Sequence, residues 1–239
     1  MTTYVYGIAR GERTGLPEGL TGIGDPPRPV RVLGEDGLCA VVSDCPEQLR
    51  PKRRDLLAHQ QVLAEVGKRA AVLPLRFGSV SDSDEKVRAV LAEHADRYRG
   101  QLERLTDRVE YNVKAVHRED AVIHLVLAEN AELRALAEAD RATGGGSYQQ
   151  RLRFGELVAE SVREREKRDA VLVLDTLAPL AEDSRPGPES TGWFVNLSLL
   201  VPRTAAQELL TAVGRLEEAH PQLDLKVNGP LPPYSFVES

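Results

Sequence analysis

Five histidines, two cysteines and two glycine-rich stretches are the residues of this chain whose types invite a chemical reading. A histidine becomes an acid–base group or a metal ligand when a carboxylate or a second ligand stands close to it. His59, His94, His117, His124 and His220 form no HExxH and no close His/Asp/Glu pair with metal-ligand spacing. No GxSxG elbow presents a serine nucleophile. Five residues separate Cys39 from Cys45, too few ligands for a disulfide framework or a zinc site. Cys39 is expected as a small buried hydrophobe in the strand LCAVVS. The segment GIGDPPRP (22–29) has glycines that suggest a phosphate loop. It lacks the Lys-Ser/Thr pair, and its prolines remove donors that an anion needs. TGGGSYQQ (143–150) precedes a helix start, where an anion can sit. Nothing nearby supplies a second phosphate contact, so a structural turn is the expectation. The charge run REREKRD (163–169) allows Glu164–Arg168 and Arg165–Asp169 pairs four residues apart and reads as a solvated helix face. No catalytic, cofactor or metal site is expected.

Composition is that of an ordinary globular protein. The 239 residues carry 31 Lys and Arg against 37 Asp and Glu, a net charge of −6. That balance argues against nucleic acid as a partner. Hydrophobic residues at 41% and charged residues at 28% are enough for a buried core. No apolar run approaches the ~20 residues that cross a bilayer, and the start lacks signal-peptide features. A cytoplasmic protein without a lipid-membrane partner is expected.

The elements follow from periodicity. TYVYGIA alternates as a strand, and strands near 30–33 and 38–43 flank the turn signal Asp36-Gly37. A helix over 52–70 places Leu56, His59, Leu63, Val66 and Ala70 on one stripe. His59 is therefore expected to be buried near a strand carrying Leu73, Leu75 and Phe77, which Pro74 restricts to a sheet edge. Asp82 and Glu85 suggest a capping box for a helix that continues through Leu102 and Leu105. RVEYNVKAVH alternates as a half-buried strand, and residues 121–140 favour helix by propensity. Ser147 and Gln150 form a capping box opening a helix that runs to about Ala178, where Pro179 ends it. EDSRPGPESTG reads as a loop. WFVNLSLLV is a strand, Thr204 and Gln207 cap the next helix, and LDLKVNG is the last strand.

The expected fold class is α+β: two small α+β domains, 1–107 and 108–239. The second is expected to be ferredoxin-like, with a long helix and a Pro/aromatic tail. That tail, NGPLPPYSF, is expected to be ordered and to pack on the body, with the first half as the candidate partner and the tail as a clasp between domains, and with the rings of Tyr234 and Phe236 on one side if it pairs as a strand.

In order, YVYGI (4–8), VLPLRFG (72–78), VEYNVKA (109–115), GGGSYQQR (144–151), LSLLVPR (197–203) and NGPLPPYSF (228–236) resemble the gas vesicle protein family GvpF/GvpL. The chain departs from that pattern at Leu231, where the family has Trp, and at Gly145, where it commonly has Pro. The resemblance implies a non-enzymatic accessory protein for assembling gas vesicles. It also implies contacts with the small hydrophobic shell protein and with other accessory proteins as the wall nucleates or grows. The partner-binding or structural candidates it marks are Pro74, Arg76, Phe77, Gly78, Tyr148, Gly229, Pro230, Pro233, Tyr234 and Phe236. The competing readings are a ligand-sensing ferredoxin-like module and an enzyme with an unrecognised site.

Overall fold

A computed structural model describes residues 2–11, 16–142 and 147–238. The chain divides into two compact units, Met1–Glu110 with Gly229–Ser239, and Tyr111–Asn228. The tail, which follows the second half in sequence, groups with the first unit, the half named as its candidate partner.

The first unit is built on β1 (Thr3–Arg10), β2 (Arg31–Glu35), β3 (Leu38–Asp44), β4 (Val72–Pro74) and β5 (Val80–Ser81). The order is β2-β3-β1-β4, with β5 also on β1. β4 is an edge strand, where a proline removes no ladder bond. Helices α1 (Arg53–Gly67), α2 (Asp84–Glu93) and α3 (Ala95–Leu105) complete the unit. The buried positions of α1 are Asp55, His59, Val62, Leu63 and Val66, so the stripe is rotated from the expected one and Leu56 is 38% exposed. The continuous helix expected after Asp82 is broken at His94, whose φ of −112° and ψ of 20° leave the helical region. Its cap is Ser83, accepting from the Lys86 N–H, one residue beyond the expected box.

The second unit carries β6 (Arg108–His117), β7 (Asp183–Pro186), β8 (Val195–Pro202) and β9 (Leu223–Leu231) in the order β7-β8-β6-β9. The helices are α4 (Glu119–Glu129), α5 (Ala131–Ala142), α6 (Tyr148–Leu177) and α7 (Ala206–Ala219). The succession is β-α-β-β-α-β with three helices in the first crossover. Asn130 separates α4 from α5: its backbone is extended and its Oδ1 accepts from the N–H groups of Glu132 and Leu133. The Ser147–Gln150 capping box opens α6 as expected. Gly144, Gly145 and Gly146, the glycines of the suspected anion cradle, lie outside the described residues. Two expectations are corrected here. Residues 183–186, expected as loop, pair with β8, and α7 is preceded by Ala205 without a side-chain cap instead of being capped by Thr204.

Candidate functional site

The segments LPLRFG and PPYSF meet on one core in the first unit. That core holds Tyr4, Tyr6, Ile23, Val62, Leu63 and Val66, and both Phe77 and Tyr234 pack against it. The Tyr4 and Tyr6 rings are 4.9 Å apart edge-on, His59 stacks on Tyr6 at 5.4 Å, and Phe77 stands 5.9 Å from His59.

The polar atoms among these rings form a closed chain. The Gly78 N–H donates to the Tyr4 hydroxyl (3.3 Å), and that hydroxyl donates to His59 Nδ1 (2.8 Å). The Leu75 carbonyl can only accept, so His59 Nε2 carries the proton that reaches it (3.0 Å). The imidazole is thereby held neutral. Burial lowers its pKa from the ordinary value, and the Leu75 hydrogen bond only partly opposes that. Burial likewise pushes the Tyr4 and Tyr6 hydroxyls up. Gly78 has φ +95°, a backbone conformation that glycine adopts at no steric cost. The Tyr6 hydroxyl accepts from the Ile23 N–H (3.0 Å) and meets Ser43 Oγ (3.0 Å). A Cβ on Gly22 would lie 1.9 Å from that hydroxyl. In the same glycine-rich loop, the Gly24 N–H donates to the buried Asp55 carboxylate (3.0 Å). The loop thus binds an internal anion of α1.

The tail turns after Pro233 instead of extending. Tyr234–Phe236 is a single 3-10 turn, so the two rings do not share a strand face. Phe236 is fully buried. Glu110 accepts from the Ser235 N–H (2.9 Å) and Oγ (2.6 Å), and Arg104 reaches the Phe236 carbonyl (2.8 Å) and the Glu238 carboxylate (2.7 Å). Burial raises the Tyr234 hydroxyl pKa, and the nearby Glu110 charge adds to it.

The candidate residues thus divide by exposure. Pro74, Phe77, Pro233, Tyr234 and Phe236 are buried or half-buried and hold the first unit together. Arg76, Gly78, Gly229 and Pro230 are exposed. Tyr148 belongs to the second unit and is 74% exposed on the first turn of α6.

That helix carries a feature which periodicity hid. At 3.6 residues per turn, Tyr148, Leu152, Gly155 and Ala159 share a face with Ala170, Val173 and Leu177. Val173 and Leu177 are buried, whereas all four N-terminal members are exposed, Leu152 at 53%. The neighbouring side, with Phe154, Leu157, Val158 and Val162, packs on the small core of Val122, Val126 and Leu133. On this face Glu166 stands between the exposed N-terminal residues and the buried Val173 and Leu177, so Tyr148, Leu152, Gly155 and Ala159 form a separate exposed row.

One expectation about the charge run is overturned. Asp169 is only 1% exposed. It accepts from Arg165 Nε (3.0 Å), from His117 Nε2 (2.9 Å) and from Gln222 Nε2 (3.2 Å). Burial would raise its carboxyl, but these three donors outweigh burial and hold it below the usual carboxylate range. The close carboxylate–histidine pair exists in space, although its members stand 52 positions apart in sequence. The Arg165 guanidinium saturates the same carboxylate, so the pair forms an internal ionic hub.

Among the described residues, no group of three or more His, Cys, Asp or Glu is placed to hold a metal ion. No described helix is long and apolar enough to cross a membrane.

The sequence profile of the family described as "Gas vesicle synthesis protein GvpL/GvpF" matches residues 2–238. The chain belongs to the GvpL/GvpF family of gas vesicle synthesis proteins. It is 58% identical over 238 residues to gas vesicle protein F of Streptomyces sp. (strain CB03234), spanning the whole of both chains. It is 30% identical over 259 residues to gas vesicle protein L of that strain, covering 98% of this chain and 92% of the relative. The crystal structure of GvpF from Anabaena sp. PCC7120 superposes with a TM-score of 0.76 at 23% identity, over 100% of this chain and 98% of that one. GvpF from Microcystis aeruginosa gives 0.72 at 23% identity, over 98% of each chain. Two sheets combined with helices are thus the fold of GvpF structures, and the family places this protein's role in gas vesicles.

Proposed function

We propose that the protein is a cytoplasmic accessory factor that binds the small hydrophobic shell protein, and further accessory proteins, while the vesicle wall nucleates or grows. Its work is contact, not catalysis. Family membership over 2–238 supports the gas vesicle setting. The observation that carries the binding role is the uncovered row Tyr148, Leu152, Gly155 and Ala159 on α6. An apolar row left in water marks an interaction site when a partner of matching chemistry exists. A wall subunit that polymerises through apolar surface needs such cover until it is built in. Gly155 and Ala159 let another backbone approach closely, and Tyr148 and Leu152 supply contact area. The exposed residues Arg76, Gly78, Gly229 and Pro230 are the proposed contacts on the first unit.

Co-expression with the shell protein, followed by affinity capture at low and high salt, tests this reading. The shell protein is expected to co-purify at both salt concentrations, because apolar contact does not depend on screening. Failure to co-purify at either contradicts direct binding.

A further inference from the structure

The exposed side of α1 runs against the charge of the whole chain. Residues 50–64 carry four cations and one carboxylate in a protein of net charge −6. That carboxylate, Asp55, is buried and accepts from the Gly24 N–H. Arg54 is held by Asp25 (2.8 Å) and stands 3.6 Å from Asp55. Arg50, Lys52 and Arg53 are exposed and have no ion pair among the described residues. Arg28, on the loop that binds Asp55, is half-buried, and its Nε meets no acceptor among the described residues.

Leucines stand one turn further along. Leu56 follows Lys52 by four residues and Leu57 follows Arg53 by four, so each cation shares a face with a leucine. Both leucines are exposed, Leu57 at 54%. Gln60 and Gln61 carry the face on without charge. The core of the unit takes the other side of the helix, with His59, Val62, Leu63 and Val66, and does not cover these leucines. Two adjacent apolar side chains in water beside unpaired cations make a surface with two chemistries.

Each class of anion meets this face differently. A small anion would pair with the cations and leave the leucines in water. A bilayer surface or a nucleic acid spreads its anions over a wide field, and a chain of net charge −6 is repelled by that field beyond this one helix. A short protein segment with both carboxylates and apolar side chains meets the patch alone. The guanidinium groups of Arg50 and Arg53 suit carboxylates, which they bind two bonds at a time. We infer that the exposed face of α1, from Arg50 to Gln61, docks an acidic amphipathic helix of a partner protein. The carboxylates of that helix lie on Arg50, Lys52 and Arg53, and its apolar row lies on Leu56 and Leu57. This docking rests on the contact role proposed above but not on the α6 row, so loss of shell-protein capture leaves it standing.

The test uses the full chain and a fluorescein-labelled synthetic peptide of eighteen residues, helical, with a leucine row and glutamates clustered at one end of it. Anisotropy titration without shell protein reads its affinity, and hydrogen exchange maps the footprint. Saturable binding is expected, with slower exchange over 52–57, which includes first-turn amides without an intrahelical partner. Lys52→Gln/Arg53→Gln removes two exposed cations and leaves the core untouched, and exchange in β1 and β3 checks that the unit stays folded. It is expected to weaken binding about tenfold at low salt and to flatten the salt dependence. Leu57→Ser is expected to weaken binding about threefold at every salt concentration. Arg163→Gln/Arg215→Gln makes the same change in net charge in the second unit and is expected to leave binding unchanged. No saturable binding, equal binding by Lys52→Gln/Arg53→Gln and the wild type, or an equal loss in the control variant would overturn the inference. So would co-sedimentation with phosphatidylserine vesicles, or self-association of the chain, that Lys52→Gln/Arg53→Gln abolishes, because either assigns the face to another occupant.

Discussion

Both units bury carboxylates, Asp55 and Glu110 in the first and Asp169 in the second, but the first also builds a neutral network of buried hydroxyls and an imidazole that the second lacks among its described residues. The first keeps its buried hydroxyls and its imidazole neutral: Tyr4, Tyr6, His59 and Ser43 satisfy one another and nearby backbone groups. The second buries a full charge, Asp169, and surrounds it with Arg165, His117 and Gln222. A neutral network needs only its hydrogen bonds completed. A buried carboxylate depends on every one of its donors, because losing the pairing leaves a charge in a low-dielectric interior. The first arrangement positions the LPLRFG loop by its backbone. The second pins α6 to the end of β6 and to the segment before β9.

The largest effect that breaks this comparison is expected from Asp169→Ala. Removing one partner of a buried pair costs about 3–5 kcal/mol. The single tryptophan, Trp193, lies in the second unit and stacks under Lys114 at 3.7 Å, so urea unfolding followed by its fluorescence reads that unit directly. An unchanged midpoint would mean that the hub does not hold the unit.

Next comes Phe236→Ala in the first unit. Deleting a fully buried phenylalanine costs about 3–5 kcal/mol, and the lower end is expected because the freed tail regains entropy. The loss should appear as faster hydrogen exchange in β1 and β3, with the Trp193 transition unmoved. Faster exchange confined to the second unit would show that the tail belongs there after all.

His59→Gln sharpens the comparison through pH. The folded-state pKa of His59 is lowered from 6.5, so the unfolded chain binds the proton first. Its contribution is complete above about pH 6.5 and is lost as pH falls below that value, at most about 1.4 kcal/mol per pH unit. Asp169 is lowered from 3.8, so its contribution persists until more acid conditions. Acidification from pH 7 to 5 is expected to weaken the first unit, as read by exchange in β1 and β3, and the His59→Gln variant should lose that slope. A slope that survives the substitution assigns it to another group.

The smallest effect is expected from Ser147→Ala, which removes the α6 cap at a cost of about 1 kcal/mol. Amide exchange in the first turn of α6 should quicken and the global unfolding midpoint should scarcely move. A large global shift would mean that this end of the helix is better anchored than its exposed row implies.

Much of the fold was readable because alternation and helical periodicity are local signals. The turn at Asp36-Gly37, the burial of His59, the Ser147 cap and the strand at Val195 all follow from neighbours in sequence. What escaped depends on contacts distant in sequence. Asp169 looks solvated within REREKRD, and only its meeting with His117 and Gln222 makes it a core group. Residues 183–186 carry no alternating apolar pattern because they form an exposed edge strand, held by backbone pairing with β8. The tail joins the first unit through Glu110 and Arg104, which no local pattern predicts. The candidates drawn from the family resemblance were mixed in kind: buried Phe236 and exposed Tyr148 do different work, and only exposure separates them.

The binding role is tested most directly by capturing the shell protein with the Tyr148→Ser/Leu152→Ser variant beside the wild type, while Trp193 unfolding is followed in both. The expected result is capture by the wild type, loss of most captured shell protein in the variant, and equal unfolding midpoints. Equal capture by the two proteins, with the midpoints again equal, would contradict the role assigned to the uncovered row of α6.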